Sequence, residues 1–390
     1  MMHLSRVTDT LILTNTRLCL PTEVITGTLT LKEGHITEIQ PGISQVPTAV
    51  DCAGDYLLPG LIELHTDNLE KHFSPRPGVL WPALAAVLSH DAQMAGSGIT
   101  TVLDALALGD VREGSERVRS LKTMADAILA ARADDLTRAE HFLHLRCEIS
   151  YPDLLDLVEQ LATPEAVKLV SIMDHTPGQR QFTDLGNYRR FYQKKFGLSD
   201  AEMQVFEAET VARQARYAAP QRAAVVAAAH RMGLPLASHD DAKPEHVAEA
   251  AANGMGIAEF PTTLEAAELS RKAGMKLLMG APNLVRGGSH SGNIAAADLA
   301  ARGWLDILSS DYMPVSLLQA VFLLAPTEAE LPAAVATATS TPAEAVGLTD
   351  RGRLEIGKRA DLIRVRLHRR EDEPPLPIVQ GVWRSGRRVA

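Results

Sequence analysis

From Leu58 onward, short apolar runs alternate with longer amphipathic ones, and that alternation leaves the chain very few folds. The apolar runs read as strands at Leu61–His65, Thr100–Asp104, His141–Ile149, Val167–His175, Leu234–His239, Ile257–Phe260, Lys276–Met279 and Asp306–Ser310. Helical stretches fall between them at Ser115–Ala133, Tyr151–Leu161, Ala201–Ala218, Gln221–Arg231, Pro244–Ala252 and Thr263–Ala273. Pro244 in a first turn with Gly254 past the end is a start-and-stop pair, and Gly274 closes the next helix in the same way. Strand followed by helix or long loop, repeated along the chain, predicts an α/β fold, a (β/α)8 barrel of TIM type. A doubly wound open sheet is the competing arrangement. It calls for a glycine-rich phosphate turn after its first strand, and the stretch HTDNLEKH from His65 to His72 has no glycine.

The two chain ends follow a different pattern. Thr10–Asn15, Gly27–Lys32 and His35–Gln40 read as short strands broken by Glu33-Gly34 and Pro41-Gly42, and Arg353–Ile356, Leu362–Arg366 and Ile378–Trp383 read likewise. Residues 1–57 and 353–390 are therefore expected to share one small β-sandwich flanking a barrel over residues 58–352. The acidic, proline-rich run Glu371–Pro377 reads as a surface loop.

A length of 390 residues suits one large and one small domain, and 46% hydrophobic with 4% aromatic residues suits an ordinary soluble α/β protein. The net charge of −9 argues against nucleic acid or an anionic membrane as partner, and leaves a homo-oligomer open. Cys19, Cys52 and Cys147 show no CxxC spacing, which favours reduced thiols over a disulfide framework. The N-terminal MMHLSRVTDTLILTN lacks the layout of a secretory signal, and no stretch reaches the length of a membrane span, so a cytoplasmic location is expected.

Barrels of this type carry their chemistry at the C-terminal ends of the strands. His65 and Asp67 close the first strand, and side chains two apart on a strand share a face. Glu148 ends the third strand, His175 the fourth, His239 the fifth, and Asp311 follows the eighth. Singly each has a plainer reading: Asp311 as a helix cap before Pro314, His175 as a hydrogen-bonded core histidine. Together, histidines and carboxylates at one barrel face fit a site for two divalent ions, zinc by preference, with manganese or another divalent ion as alternatives. Glu148 is the candidate bridge between the ions, and Asp311 the candidate catalytic base.

The strand-one His-x-Asp, the strand-end histidines, Asp311 and the tail TPAEAVGLTDRGRLEIGKRADLIRV resemble the amidohydrolase superfamily over nearly the whole chain. That superfamily commonly has His-x-His where this chain has His65-Thr66-Asp67. It often bridges its metals with a lysine on strand four, whereas Lys168 lies at the start of that strand, and Glu148 is the natural substitute. The longer stretches LPGLIELHTDNLEKHFSPRP, SHDAQMAGSGITTVLDAL and APNLVRGGSHSGN are similar to a diphosphatase branch of the superfamily. What this implies is a small-molecule substrate, a phosphorylated ribose carrying a triphosphate. Cations and hydroxyls must then meet the phosphates, and three loops offer them: Lys71, His72 and Arg76; Gln179 and Arg180; Arg286, Ser289, His290 and Ser291. The run Arg189, Arg190, Lys194 and Lys195 reads better as a solvated helix face. Two rival readings are an amidohydrolase acting on a cyclic amide or an N-acetyl sugar phosphate, and a scaffold protein that has lost its metals.

Overall fold

The computed structural model describes residues 10–289, 292–371 and 374–390. The apolar runs form eight parallel barrel strands in sequential order: β1 Leu61–Thr66, β2 Ile99–Leu108, β3 Glu140–Glu148, β4 Val167–Met173, β5 Leu236–His239, β6 Ile257–Glu259, β7 Lys276–Gly280 and β8 Ile307–Ser309. Such strands are buried on both faces, which is why they read as unbroken apolar runs. Ile62, Leu64, Leu103, Phe142, Leu169 and Leu278 fill the barrel interior. Leu143, Leu145, Val170 and Ile172 face outward against helical Leu121, Ile128 and Val225.

Among the described residues no backbone ladder joins β8 to β1. Side chains close the gap instead. The buried Glu63 carboxylate accepts from Ser309 Oγ at 2.6 Å, Ser310 N at 2.5 Å and His65 N at 2.6 Å. The Ser309 hydroxyl also lies 2.6 Å from the His65 carbonyl oxygen. Lower in the gap, Ile62 N donates to Ala338 O at 2.8 Å and Leu308 N to Thr337 O at 2.9 Å. Burial pushes the Glu63 pKa up to about 7, against the pull of its hydrogen-bond donors.

The chain ends build a second sheet in the order 387–388, 376–384, 362–368, 56–59, 11–19, 24–32, 35–41, with 50–51 beside 11–19. Its outer strand meets the 357–360 segment, with Ile36 N donating to Lys358 O at 2.9 Å and Gly357 N to Ile36 O at 2.8 Å. The sheet thereby wraps sandwich-fashion around Leu13, Leu29, Ile36, Leu57, Leu362 and Trp383. Its other side, through Tyr56, Leu58, Ile363 and Val365, packs on barrel-side helices at Leu317, Val321 and Val335.

Two elements depart from the pattern expected. Arg353–Ile356 is not a strand: Leu354 drops into the sheet core while Arg351 and Arg359 converge on Glu140 at the foot of β3. Burial alone would raise the Glu140 pKa, but the two guanidinium groups hold it near 2. The expected break at Pro220 is also absent, and one helix runs Asp200–Met232. Its Ser199–Glu202 capping box starts it, and Gln221 Nε2 donates to Ile149 O and Tyr151 O at 3.0 and 2.8 Å. Packing of Ala218, Val225 and Ala229 then outweighs the one hydrogen bond that the proline removes.

The helix Ala83–Gly96 is fixed to the barrel by a buried polar chain. His90 Nε2 and His141 Nδ1 each lie 2.8 Å from the Asp104 carboxylate, and His141 Nε2 lies 3.3 Å from Asp91. Asp91 also accepts from the backbone of Arg138 and Ala139 at 2.9 and 2.8 Å. Burial alone would lower the His141 pKa, but Asp104 and Asp91 outweigh it and lift it to about 9.

Two tests follow from these closures. Glu63→Gln turns an amide donor toward at least one backbone N–H, and should lower stability by about 1–3 kcal/mol in chemical denaturation. His141 has its pKa raised on folding from about 6.5 to about 9, so its contribution is complete below the lower value and lost as pH climbs through the upper one. Unfolding free energy should therefore fall by roughly 2–4 kcal/mol from this group between pH 6 and pH 10. His141→Gln should be less stable at pH 7 and show a shallower loss over that range; a parallel loss in both proteins would refute the assignment.

Candidate metal centre and substrate cleft

The barrel's C-terminal end opens on a cleft of about 200 Å³ whose walls include His65, Asp67, Arg146, His175, His239, Asp240, Arg286, Ser289 and Asp311. His65, His175, His239, Asp240 and Asp311 lie at or just past strand ends, whereas Arg286 and Ser289 follow the short helix Ala281–Val285. His65 lies within β1, but Ile62 and Leu64 already face the barrel core, so strict alternation would turn His65 away. The pairing with β2 is irregular between Glu63 and Thr66, and that break brings His65 round to the cleft. Asp67 is not on the strand: it occupies the N-cap position of the helix Asn68–Phe73 and makes no capping bond. Three residues just past strand ends, Asp240, Phe260 and Asp311, have φ of 56°, 53° and 53°, a left-handed backbone rare for side-chain-bearing residues and frequent at working sites.

Carboxylates stand behind the histidines. Glu259, at the end of β6, lies 3.0 Å from His65 Nδ1 and 3.2 Å from His239 Nδ1, and accepts from Ser171 Oγ at 2.7 Å. The two imidazoles stack, 5.3 Å between centroids and 16° between planes. Burial would raise the Glu259 pKa, yet the neighbouring His65 and the hydrogen bonds from His65 and His239 hold it well below the usual range. Burial pushes the His239 pKa well down, so its ring is neutral, donates Nδ1–H to Glu259 and keeps its Nε2 lone pair. Glu148 treats His175 alike, with Oε2 2.6 Å from Nδ1 and Oε1 accepting from Ser150 Oγ at 2.9 Å and His175 N at 3.2 Å.

The donor set suits a divalent cation. His65, His239 and Glu259, and again His175, His239 and Asp240, bring ligand atoms within 4.8 Å of one another. Asp67 Oδ1 is buried with no hydrogen-bond partner among the described residues, as a carboxylate reserved for a cation would be. Imidazole with carboxylate is zinc or manganese chemistry, and a carboxylate that accepts the far N–H of a ligating histidine is the usual second layer of such sites.

The candidates expected from sequence divide. His65, Asp67, His175, His239 and Asp311 line one cleft, with Arg286 and Ser289 on its wall. Glu148 does not line it, its oxygens being taken up by His175 and Ser150, and the place between two histidines belongs to Glu259. Arg180 is 3% exposed and ion-paired with Asp241 and Glu249, so it braces the wall from behind. Gln179 also lies off the cleft, where its neighbour Gln181 stands instead. Lys71 donates to the Tyr312 carbonyl, with its ammonium 5.2 Å from the Tyr312 ring centre. His72 Nε2 lies 3.0 Å from Gln93 Oε1, and Arg76 is exposed in a turn against Val79. His290 and Ser291 lie outside the described residues. Of the basic run, Arg189 pairs at the surface with Glu207 at 2.7 Å.

Sequence reasoning missed Glu259, Asp240, Glu63 and Arg146. For Arg146 a signal existed: His144, Arg146 and Glu148 alternate with apolar Leu143, Leu145 and Cys147 along the second half of β3.

Comparison with known proteins agrees with this architecture. The chain is 52% identical over 382 residues to the alpha-D-ribose 1-methylphosphonate 5-triphosphate diphosphatase of Escherichia coli (strain K12), covering 97% of this chain and 100% of the relative. Among solved structures, the 5-methylcytosine deaminase from Klebsiella pneumoniae superposes with a TM-score of 0.62 at 16% identity, over 97% of this chain and 98% of its own. The N-acetylglucosamine-6-phosphate deacetylase from Pasteurella multocida does so at 0.59 and 11%, over 97% and 99%. Likeness at that level carries the fold alone. A family model described as "Amidohydrolase family" matches residues 82–390, and the chain belongs to that family.

Proposed function

We propose that this chain hydrolyses α-D-ribose 1-methylphosphonate 5-triphosphate to the 5-phosphate and pyrophosphate, a diphosphatase step in phosphonate catabolism. One observation carries the reading: 52% identity to the diphosphatase over that relative's whole length. The cleft supports it, since its ligand set and basic wall suit a polyanion better than a neutral amide.

His65, His175 and His239 would hold metal through Nε2, with Asp67, Asp240 and Asp311 as carboxylate donors. Two divalent ions there, zinc or manganese, would supply Lewis acidity and a water of lowered pKa. Glu259 and Glu148 serve from behind, fixing the histidine tautomers rather than bridging. Asp311 accepts the proton of the attacking water. The new bond forms at the phosphorus nearest the ribose, the bond from that phosphorus to the bridging oxygen breaks, and its electron pair leaves with pyrophosphate. Arg286 and Ser289 hold the outer phosphates from the cleft wall. The partner is this small molecule, with a homo-oligomer left open. The setting is the cytoplasm, where Cys19, Cys52 and Cys147, all buried and unpaired, stay reduced.

Incubation with the ribose triphosphate should release pyrophosphate, and in ¹⁸O water the label should enter the sugar phosphate; label in pyrophosphate would place attack elsewhere. Purified protein should carry about two divalent ions per chain, with turnover lost on chelation and regained with metal. Glu148→Gln should weaken metal affinity by about 10–100-fold with the fold intact; undiminished affinity would remove Glu148 from the site. Asp311→Asn should lower kcat by roughly two to four orders of magnitude while substrate still binds. Arg286→Ala should act mainly on KM.

A further inference from the structure

Arg146 stands on β3 between His144 and Glu148 and lines the cleft. It makes no side-chain hydrogen bond or ion pair with any described residue, and its Nε is buried without a partner. The chain's other sheltered arginines are answered: Arg180 by Asp241, Arg351 by Glu140, Arg364 by Asp55. A guanidinium carries five donors and does not shed its proton, so leaving it half-buried and unpaired is unfavourable unless an anion arrives. Protein groups supply none at Nε. Its charge acts on His144, His175, His239 and Asp240, the last three proposed here as metal donors. Once cations occupy those donors, the surroundings of Arg146 become more positive still, and the anion must come from the substrate.

Resting on the diphosphatase reading above, we propose that Arg146 binds the non-bridging oxygens of the phosphoryl group under attack, and thereby makes this barrel select a phosphoanhydride over a neutral amide. Its place separates it from Arg286. Arg286 is exposed, where the outer phosphates would lie, whereas Arg146 rises from the barrel strand beside the histidines. A planar fork suits two phosphoryl oxygens at once, and those oxygens gain charge as the bond to the leaving pyrophosphate lengthens. Arg146 therefore acts on the transition state more than on the ground state.

The experiment compares wild type, Arg146→Met and Arg146→Lys in the metal-loaded protein. Its readouts are metal content, thermal midpoint, calorimetric binding of ribose 5-phosphate, whose phosphoryl is the one that stays on the sugar, and kcat and KM on the ribose triphosphate. Arg146→Met should keep its metal and midpoint, bind ribose 5-phosphate about 10–100-fold more weakly and lose at least about 100-fold in kcat. Arg146→Lys, retaining charge without the fork, should fall between. Unchanged binding and kcat in Arg146→Met would overturn the proposal, as would loss of metal in step with loss of binding. Should the variants not fold, phenylglyoxal labelling of wild-type Arg146, mapped by peptide mass spectrometry, replaces them. Ribose 5-phosphate should protect that residue, and undiminished labelling overturns the idea. Wild-type turnover separates the two claims: protein that binds ribose 5-phosphate through Arg146 yet releases no pyrophosphate from the ribose triphosphate would refute the activity and uphold the anion site.

Discussion

One buried carboxylate decides whether this barrel has an active face. Glu63 draws Ser309, Ser310 and the His65 backbone onto itself, and in doing so brings the last strand against the first. The residues delivered to the rim by those two strands are His65 and Asp311. Thr66 Oγ1 donates to the Asp311 carbonyl at 2.7 Å and Asp311 N to Ser309 Oγ at 3.2 Å, so Asp311 inherits its position from the same contact. Burying a charge is unfavourable in itself, and three short donors offset only part of it, which leaves the Glu63 pKa raised to about 7.

The same device recurs one layer higher. Glu259 pins two imidazoles and Glu148 a third, each through Nδ1, so the reacting surface is made of ring edges whose orientation is set from behind. His144, lowered to about 3 by burial and bonded to the Leu64 carbonyl at 2.8 Å, adds a neutral ring to the support without adding charge. Preorganised donors of this kind need no rearrangement when charge develops on a substrate.

The barrel was legible because a strand buried on both faces leaves an unmistakable apolar run, and because a polar residue at the end of such a run has few other reasons to be there. By that rule His65, Asp67, His175, His239 and Asp311 were expected at one barrel face, and all five line one cleft. Glu259 was not, since its partners His65 and His239 lie 194 and 20 residues away and a glutamate after Ile257-Ala258 looks like an ordinary strand end. Arg180 misled for the converse reason: in sequence a loop arginine looks free, and only the fold shows it between Asp241 and Glu249. The Ser89–Leu106 motif was recognisable as a motif, but nothing local says that His90, Asp91 and Asp104 form a buried strut to His141. Pro220 shows the limit of local rules, because a packed helix face can carry one missing hydrogen bond.

The strand 56–59, which feeds the chain into the barrel, is hydrogen-bonded to 362–368, which takes the chain out again. During synthesis the earlier strand must wait for a partner some three hundred residues downstream. At ribosomal speeds of about 5–20 residues per second that wait is roughly fifteen seconds to a minute. Through it, the apolar edge of Tyr56, Leu57 and Leu58 is open to any other extended chain. The nascent polypeptide thus carries this open edge until nearly all of its barrel has been synthesised. A chaperone that shields this edge would act on yield without touching the finished enzyme.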